Sequence, residues 1–328
     1  MAAFGSGVGR FVRPHASCQR GQRRIIPLAA CLVAVAVAPR PATAGLVLWW
    51  QFSGSGTAVN GATTLADSSA SGYAGTFSSS GTASAVFETV TYGTSGVTGT
   101  GLNFSPQSAG NGSQVGVSGS LPNLNFGTGG FSISLWVRKE AATNGSWSNT
   151  SAVRVGSGTT KLDLYVGSSN GGASDKPTAL WGSGNTTSGA NQNVNLATSS
   201  LPVDPSATAV LSHIVSVRSG STNTLYVDGV SAGTLTNWPV GGSVNAVGGF
   251  SVNWNPDGTS YQTNATFSNL QVYDEALTGA QVASLYANPM VVVPEPGAVA
   301  LAAIGTVAAA GAIRRRRARG DGRSSRRR

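Results

Sequence analysis

The sequence predicts an all-β protein, a sandwich or barrel carrying one short helix, with a distinct segment at each end. Three observations lead there. The composition is turn-rich and sparsely charged, with 45 glycines among 328 residues and only 10% charged side chains, which suits polar strand faces joined by many turns. Apolar residues cluster in short runs, the clearest of which alternate with period two, and only after Asp274 does the spacing become helical. A body of roughly 250 residues is also long enough to bury a substantial core as one unit.

The elements follow in order. Residues 45–52, Gly-Leu-Val-Leu-Trp-Trp-Gln-Phe, read as a first strand rich in β-formers. A long polar stretch then carries apolar beats at 85–90, 102–104 and 115–117. The clearest strand is 131–137, where Phe131, Ile133, Leu135 and Val137 fall on one face and Ser132, Ser134 and Trp136 on the other. Strands at 162–166 and 211–218 follow, and 224–227 runs into Asp228-Gly229, the dipeptide that most favours a tight hairpin, with Val230 opening the return strand. Residues 250–254 and 265–273 complete the strands. Thr278-Gly279-Ala280-Gln281 matches a capping box, and Val282, Leu285 and Tyr286 follow on one helical side, so 279–287 is expected as a helix lying on the sandwich. Residues 289–293 are expected as a linker.

The ends differ from this body. Residues 1–24 are polar and basic, 25–38 are mostly apolar, and Ala42-Thr43-Ala44 is the small-x-small pattern that precedes signal-peptidase cleavage. The expectation is a signal peptide over 1–44 and a mature start at Gly45. Two rival readings stand beside it: Leu28-Ala29-Ala30-Cys31 as a lipobox with an acylated Cys31, and Arg23-Arg24 as a twin-Arg export signal. At the other end, Pro294, Glu295 and Pro296 precede an uncharged run over 297–313, then Arg314, Arg315, Arg316, Arg317 and Arg319, with four more arginines by Arg328. As a helix the run spans about 25 Å, slightly short of a ~30 Å hydrocarbon core. It is expected as a transmembrane helix, with Arg314 to Arg317 as the membrane stop and 314–328 as a cytoplasmic tail.

The formal net charge of +9 resides in these ends. Six arginines precede Gly45 and nine follow Ile313, leaving six basic against ten acidic residues in the body, a net charge of −4. Nucleic-acid binding by the body is therefore excluded as an expectation. Both cysteines, Cys18 and Cys31, lie in the leader, so the mature body has no disulfide to form.

The order Val293-Pro294-Glu295-Pro296-Gly297, apolar span, Arg cluster resembles the PEP-CTERM sorting signal of bacterial exported proteins. The resemblance implies transient membrane anchoring, recognition at Pro294 to Pro296 by an exosortase-type processing enzyme, and transfer to the cell surface or release. The body resembles the laminin-G-like, concanavalin A-like jelly roll over 45–288. The carrying residues are the opening strand, Leu124-Asn125-Phe126-Gly127-Thr128-Gly129-Gly130 into residues 131–137, Ser212-His213-Ile214-Val215, Leu225-Tyr226-Val227-Asp228-Gly229, and Leu270 through Leu277. At Leu211-Ser212-His213 the chain departs from the family's usual aromatic residue and second His.

Chemistry in the body is sparse. A retaining glycosidase needs two carboxyl groups about 5 Å apart, and the acids here look scattered: Asp163 sits alone between leucines, and Asp274 and Glu275 are adjacent and would face opposite ways on a strand. His213, aligned with Val215 and Val217, reads as a packed or hydrogen-bonded residue. No Cys nucleophile or nucleophile elbow is visible. The expectation is a non-catalytic protein without a cofactor, with Asp257 and Asp175 as candidate ligands for a structural Ca²⁺. Trp254, Asn255, Asp257 and Tyr261 combine an aromatic platform with polar loop groups, the pairing that sugar sites use, and Trp136 and Trp181 are further candidate platforms. The reading is an exported surface or matrix protein that binds extracellular polysaccharide or a partner. A glycan-active hydrolase and a purely structural surface component stand as the alternatives.

Overall fold

The computed structural model describes residues 45–79, 84–93, 95–104, 115–119, 125–127, 129–140, 151–156, 161–167, 176–182, 192–198, 201–202, 210–236, 244–245, 249–253 and 264–293. Most of them form two antiparallel sheets packed face to face. The strands are β1 (Leu46–Trp50), β2 (Thr64–Leu65), β3 (Gly75–Ser79), β4 (Ala85–Tyr92), β5 (Val97–Phe104), β6 (Val115–Gly119), β7 (Asn125–Gly127), β8 (Phe131–Lys139) and β9 (Ser151–Val155). They continue with β10 (Lys161–Tyr165), β11 (Thr178–Gly182), β12 (Gln192–Leu196), β13 (Val210–Ser219), β14 (Thr222–Val227), β15 (Val230–Leu235), β16 (Val244–Asn245), β17 (Phe250–Val252) and β18 (Ala265–Tyr273). One helix follows, α1 (Gly279–Ala287).

In the first sheet β8 lies between β13 and β18, antiparallel to both. Beyond β13 come β14 and β15. The far edge of β18 is shared, β5 pairing with Ala265 to Phe267 and β1 with Leu270 to Tyr273. β5 pairs with β4, whose Thr91 and Tyr92 meet β13 in the fold's parallel contact. The second sheet runs β12-β11-β10-β9-β17-β6-β3-β2, and β7 and β16 form a small ribbon of their own.

Period-two alternation turns one side of each strand into the shared core. Phe131, Ile133, Leu135, Phe267, Leu270 and Val272 of the first sheet meet Val153, Val155, Leu162, Leu164, Phe250 and Val252 of the second. Trp50 spans the two, its ring edge-on to Phe250 at 5.5 Å. Asp228 and Gly229 both take positive φ, 49° and 79°, as the two-residue hairpin between β14 and β15 requires.

β8 departs from expectation on its second face. Ser132, Ser134 and Trp136 do oppose the core, yet the strand is buried along its whole length. Several groups cover that face: Glu275 and Leu277 bond to Ser132, His213 to Ser134 and Glu88 to Arg138, while Tyr286 of α1 stacks on Trp136. Thr278 accepts a hydrogen bond from the Gln281 backbone while the Gln281 side chain accepts one from Thr278, closing the expected capping box. Val282 and Leu285 are buried, and each such side chain contributes about 1.5–3 kcal/mol. Tyr286 lies nearly parallel to Trp136, with ring centroids 5.7 Å apart. The side chain fits because Gly93 and Gly229 flank it: a Cβ at Gly93 would come within 2.9 Å of the ring, and one at Gly229 within 3.1 Å of the Tyr286 Cβ.

Two further differences bear on function. β17 ends at Val252 rather than 254, because Asn253 turns into the left-handed region at φ 51°. Residues 289–293, expected as a linker, lie against β18 with Val293 buried. Among the described residues no helix is long and apolar enough to cross a membrane. The leader over 1–44, with Ala42 and Ala44, and the segment 294–328, with Pro294, Glu295, Pro296 and Arg314 to Arg317, lie outside the described residues.

Candidate functional site

The outer face of the second sheet carries a polar cluster that sequence reading missed. Because Val153, Val155, Leu162, Leu164, Phe250 and Val252 point into the core, their neighbours Arg154, Asp163, Tyr165 and Ser251 point the other way. Strand register aligns three of them, Asp163 opposite Arg154 and Arg154 opposite Ser251. Asp163 is thus not alone. Arg154 grips it with both edges of its fork, Nε to Oδ1 at 2.5 Å and Nη2 to Oδ2 at 3.2 Å, and the Tyr165 hydroxyl donates to Oδ2 at 3.0 Å. All four side chains are buried, Asp163 at 0% exposure. A charge pair this deep holds only because its hydrogen bonds are satisfied.

This cluster lies at the root of the candidate binding loop. Asn253, the first residue beyond β17, is fully buried, and its N–H still bonds to Ala152 O of β9 at 3.1 Å. Its left-handed backbone ends the strand there. Trp254, Asn255, Asp257 and Tyr261 follow at once in the chain, outside the described residues, as do Asp175 and the Trp181 side chain.

A second polar cluster occupies the first sheet. Glu88 of β4, Asn103 of β5, Arg138 of β8 and Thr266 of β18 converge with Glu140. Arg138 Nη2 donates to Glu88 Oε1 at 2.6 Å and to Glu140 Oε1 at 2.9 Å. Asn103 Nδ2 donates to Glu140 Oε1 at 2.7 Å, and Thr266 Oγ1 lies 2.6 Å from Glu88 Oε1 and 3.0 Å from Glu140 Oε1. The scatter of acids seen in sequence is therefore corrected here: two carboxylates from β4 and the end of β8 share one guanidinium. Cross-strand alignment of β4, β5, β18 and β8 brings them together, and a spacing of 52 positions carries no local signal for it. The shared donors converge on Oε1 of both carboxylates, and Asn103 Nδ2 also reaches Glu88 Oε2 at 3.3 Å.

His213 is packed, as expected. Its ring is fully buried, stacked 4.7 Å from Trp136, with Nε2 sharing a hydrogen bond of 2.8 Å with Ser134 Oγ. Burial pushes its pKa down to about 3, so the ring is neutral. Asp228 Oδ1 accepts from the His213 N–H at 2.8 Å, and burial raises the Asp228 carboxyl. Trp136 is 1% exposed beneath Tyr286, in a buried cluster with Val90, Tyr92 and Leu211, and the expectation of a binding platform there is corrected. Asp274 and Glu275 lie beyond the end of β18, not on a strand. Among the described residues no group of three or more His, Cys, Asp or Glu is placed to hold a metal ion.

Known proteins resemble this chain as follows. The family model described as the concanavalin A-like lectin/glucanases superfamily matches residues 109–283, more than half the chain. No curated protein sequence matches it. Among solved structures, domain 4 of the GH43 extracellular arabinanase AbnA from Geobacillus stearothermophilus, in complex with arabinotriose, superposes with a TM-score of 0.51 at 20% identity over 75% of this chain and 100% of that one. The binding domain of botulinum neurotoxin serotype G gives 0.48 at 13% identity, over 74% of this chain and 50% of that one. A Trypanosoma rangeli sialidase gives 0.48 at 14%, over 76% and 33%. At these identities the arabinanase domain is a likeness of fold.

Proposed function

The chain belongs to the concanavalin A-like lectin/glucanases superfamily, and from that premise we propose that it is a non-catalytic, carbohydrate-binding protein of the bacterial cell surface or extracellular matrix. The ligand class is an extracellular polysaccharide, bound at the loop of Trp254, Asn255, Asp257 and Tyr261. The observation that carries this reading is the root of that loop. It leaves the second sheet from a buried left-handed Asn253 beside the Arg154, Asp163 and Tyr165 cluster, so rigid strands hold its base. A rigid base lowers the ordering cost that a binding loop incurs. The arabinanase domain of like fold was solved with arabinotriose, a ligand of the same class.

Export and sorting belong to the same proposal: cleavage before Gly45 by signal peptidase, transient anchoring through 297–313, and processing near Pro294 to Pro296 by an exosortase-type enzyme. A structural Ca²⁺ at Asp257 or Asp175 is compatible with it and not required.

A glycan array followed by calorimetry tests the binding. Binding above background that Trp254→Ala or Tyr261→Ala weakens at least tenfold is expected. An array with no binding would point to a purely structural surface component. The hydrolase reading has one observation in its favour, the meeting of Glu88 and Glu140. Glycan hydrolysis abolished by Glu140→Gln would establish it in place of the binding role.

A further inference from the structure

The segment between α1 and Pro294 is held by three residues of one strand. Asn269, Gln271 and Tyr273 stand at alternate positions of β18, all buried although polar. The strand is irregular between Ser268 and Gln271, and Asn269 there takes φ 46°. Such a kink re-aims a side chain, and the Asn269 amide is turned so that Oδ1 accepts from Trp49 Nε1 at 2.5 Å while Nδ2 donates to Pro289 O. Gln271 Nε2 reaches Val291 O at 3.5 Å, and Gln271 Oε1 accepts from the Tyr273 hydroxyl at 2.8 Å. Tyr273 also packs with Val293 in one buried cluster.

The pattern matches on both sides. Residues 269, 271 and 273 meet residues 289, 291 and 293 through a turn, which the Val291 N–H closes by donating to Asn288 O at 3.1 Å, with Met290 and Val291 left exposed. Recognition is through backbone groups, with Val293 buried at the end in a cluster with Tyr273, Leu277 and Leu46. Leu46, which opens β1 one residue after Gly45, pairs with Tyr273 in the same cluster.

We propose that residues 289–293 are a docked strap that belongs to the protease-resistant body. A protease needs an extended stretch of several residues drawn away from the fold, and the strap is held in its turn by Asn269 and Gln271 and by the burial of Pro289 and Val293. The consequence for sorting rests on the reading above: the processing enzyme acts at or beyond Pro294, and the strap stays in place on the product.

Thermolysin, which cuts before apolar residues, meets Val291, Val292 and Val293 in the strap and Val299, Leu301 and Ile304 beyond it. Digestion of the full chain in mild detergent, read by intact mass, is expected to stop at a fragment ending between Val293 and Ala298. Asn269→Ala is expected to raise cleavage before Val291 to Val293 at least tenfold. Equal cleavage of strap and distal sites in the unaltered chain overturns the proposal. Because Asn269 also holds Trp49, Tyr273→Phe supplies a milder variant that deletes one hydroxyl. That hydroxyl positions Gln271 toward Val291 O, so cleavage before Val291 to Val293 should rise up to about tenfold, the measure of one net hydrogen bond, with β18 amide exchange unchanged; cleavage equal to that of the unaltered chain refutes the dock. Neither readout needs the host's processing enzyme. A native surface form ending before Val293 overturns the proposal, whereas a form retaining Arg328 in every cell fraction sinks the sorting reading while thermolysin still decides the strap.

Discussion

Mild acid should loosen this fold through His213. The ring is fully buried between Trp136 and Ser134, and Nδ1 has no hydrogen-bond partner, so a second proton would put an unsolvated charge under α1. Burial holds the folded-state pKa near 3 against an ordinary value of 6.5. The unfolded chain takes up the proton at about pH 6.5 while the folded chain refuses it until about pH 3. The stabilisation is therefore complete above pH 6.5 and is lost as pH falls toward 3. At about 1.4 kcal/mol per pH unit, the loss is roughly 2 kcal/mol by pH 5 and about 4–5 kcal/mol by pH 3. Asp228, raised by burial and bonded to the His213 N–H, works in the opposite sense near the bottom of this window, so the comparison must keep it. Urea unfolding followed by Trp fluorescence, at pH 7.5 and 5.0, on the unaltered protein and on His213→Gln, isolates the His213 share. The unaltered protein should lose about 2 kcal/mol more than the variant between the two pH values. Parallel losses would mean that the imidazole is charged or hydrated inside the fold, and the argument from burial would be wrong.

Two other substitutions test the packing. Asp163→Ala strips the carboxylate from a buried Arg154 and should cost about 3–5 kcal/mol in urea unfolding; a loss under about 1 kcal/mol would show that water already reaches the pair. Gly229→Ala imposes a side chain at φ 79° and pushes it against Tyr286 at 3.1 Å, whereas Gly220→Ala meets only the φ of 58° with open space around it. The first should cost more than the second, which costs about 1–2 kcal/mol; equal costs would mean that α1 shifts freely on the sheet.

Local patterns carried much of the architecture. Period-two alternation located β8 and β18, Asp228-Gly229 located the β14–β15 hairpin, and the Thr278 to Gln281 capping box located α1 at the bounds the structure shows. Each of these depends on residues within four positions of one another, whose geometry the backbone sets regardless of the remainder of the chain. The short strands β2, β3, β9, β11 and β12 were not legible, since polar runs such as Gly-Thr-Phe-Ser-Ser in β3 become strands by pairing with neighbours rather than by their own pattern.

Glu88, Arg138, Glu140 and Thr266, and likewise Arg154 and Asp163, could not be paired in advance, because strand order and register bring them together. Trp136 marks the division most clearly. Alternation assigns it to the face of β8 away from the core, and it lies there. Whether Trp136 meets water there depended on α1 and on the turn glycines that admit Tyr286 against it. Which residues share a face was readable from the order of amino acids, through the backbone's fixed period. What covers that face followed from the packed fold alone, because a covering element arrives from distant positions in the chain.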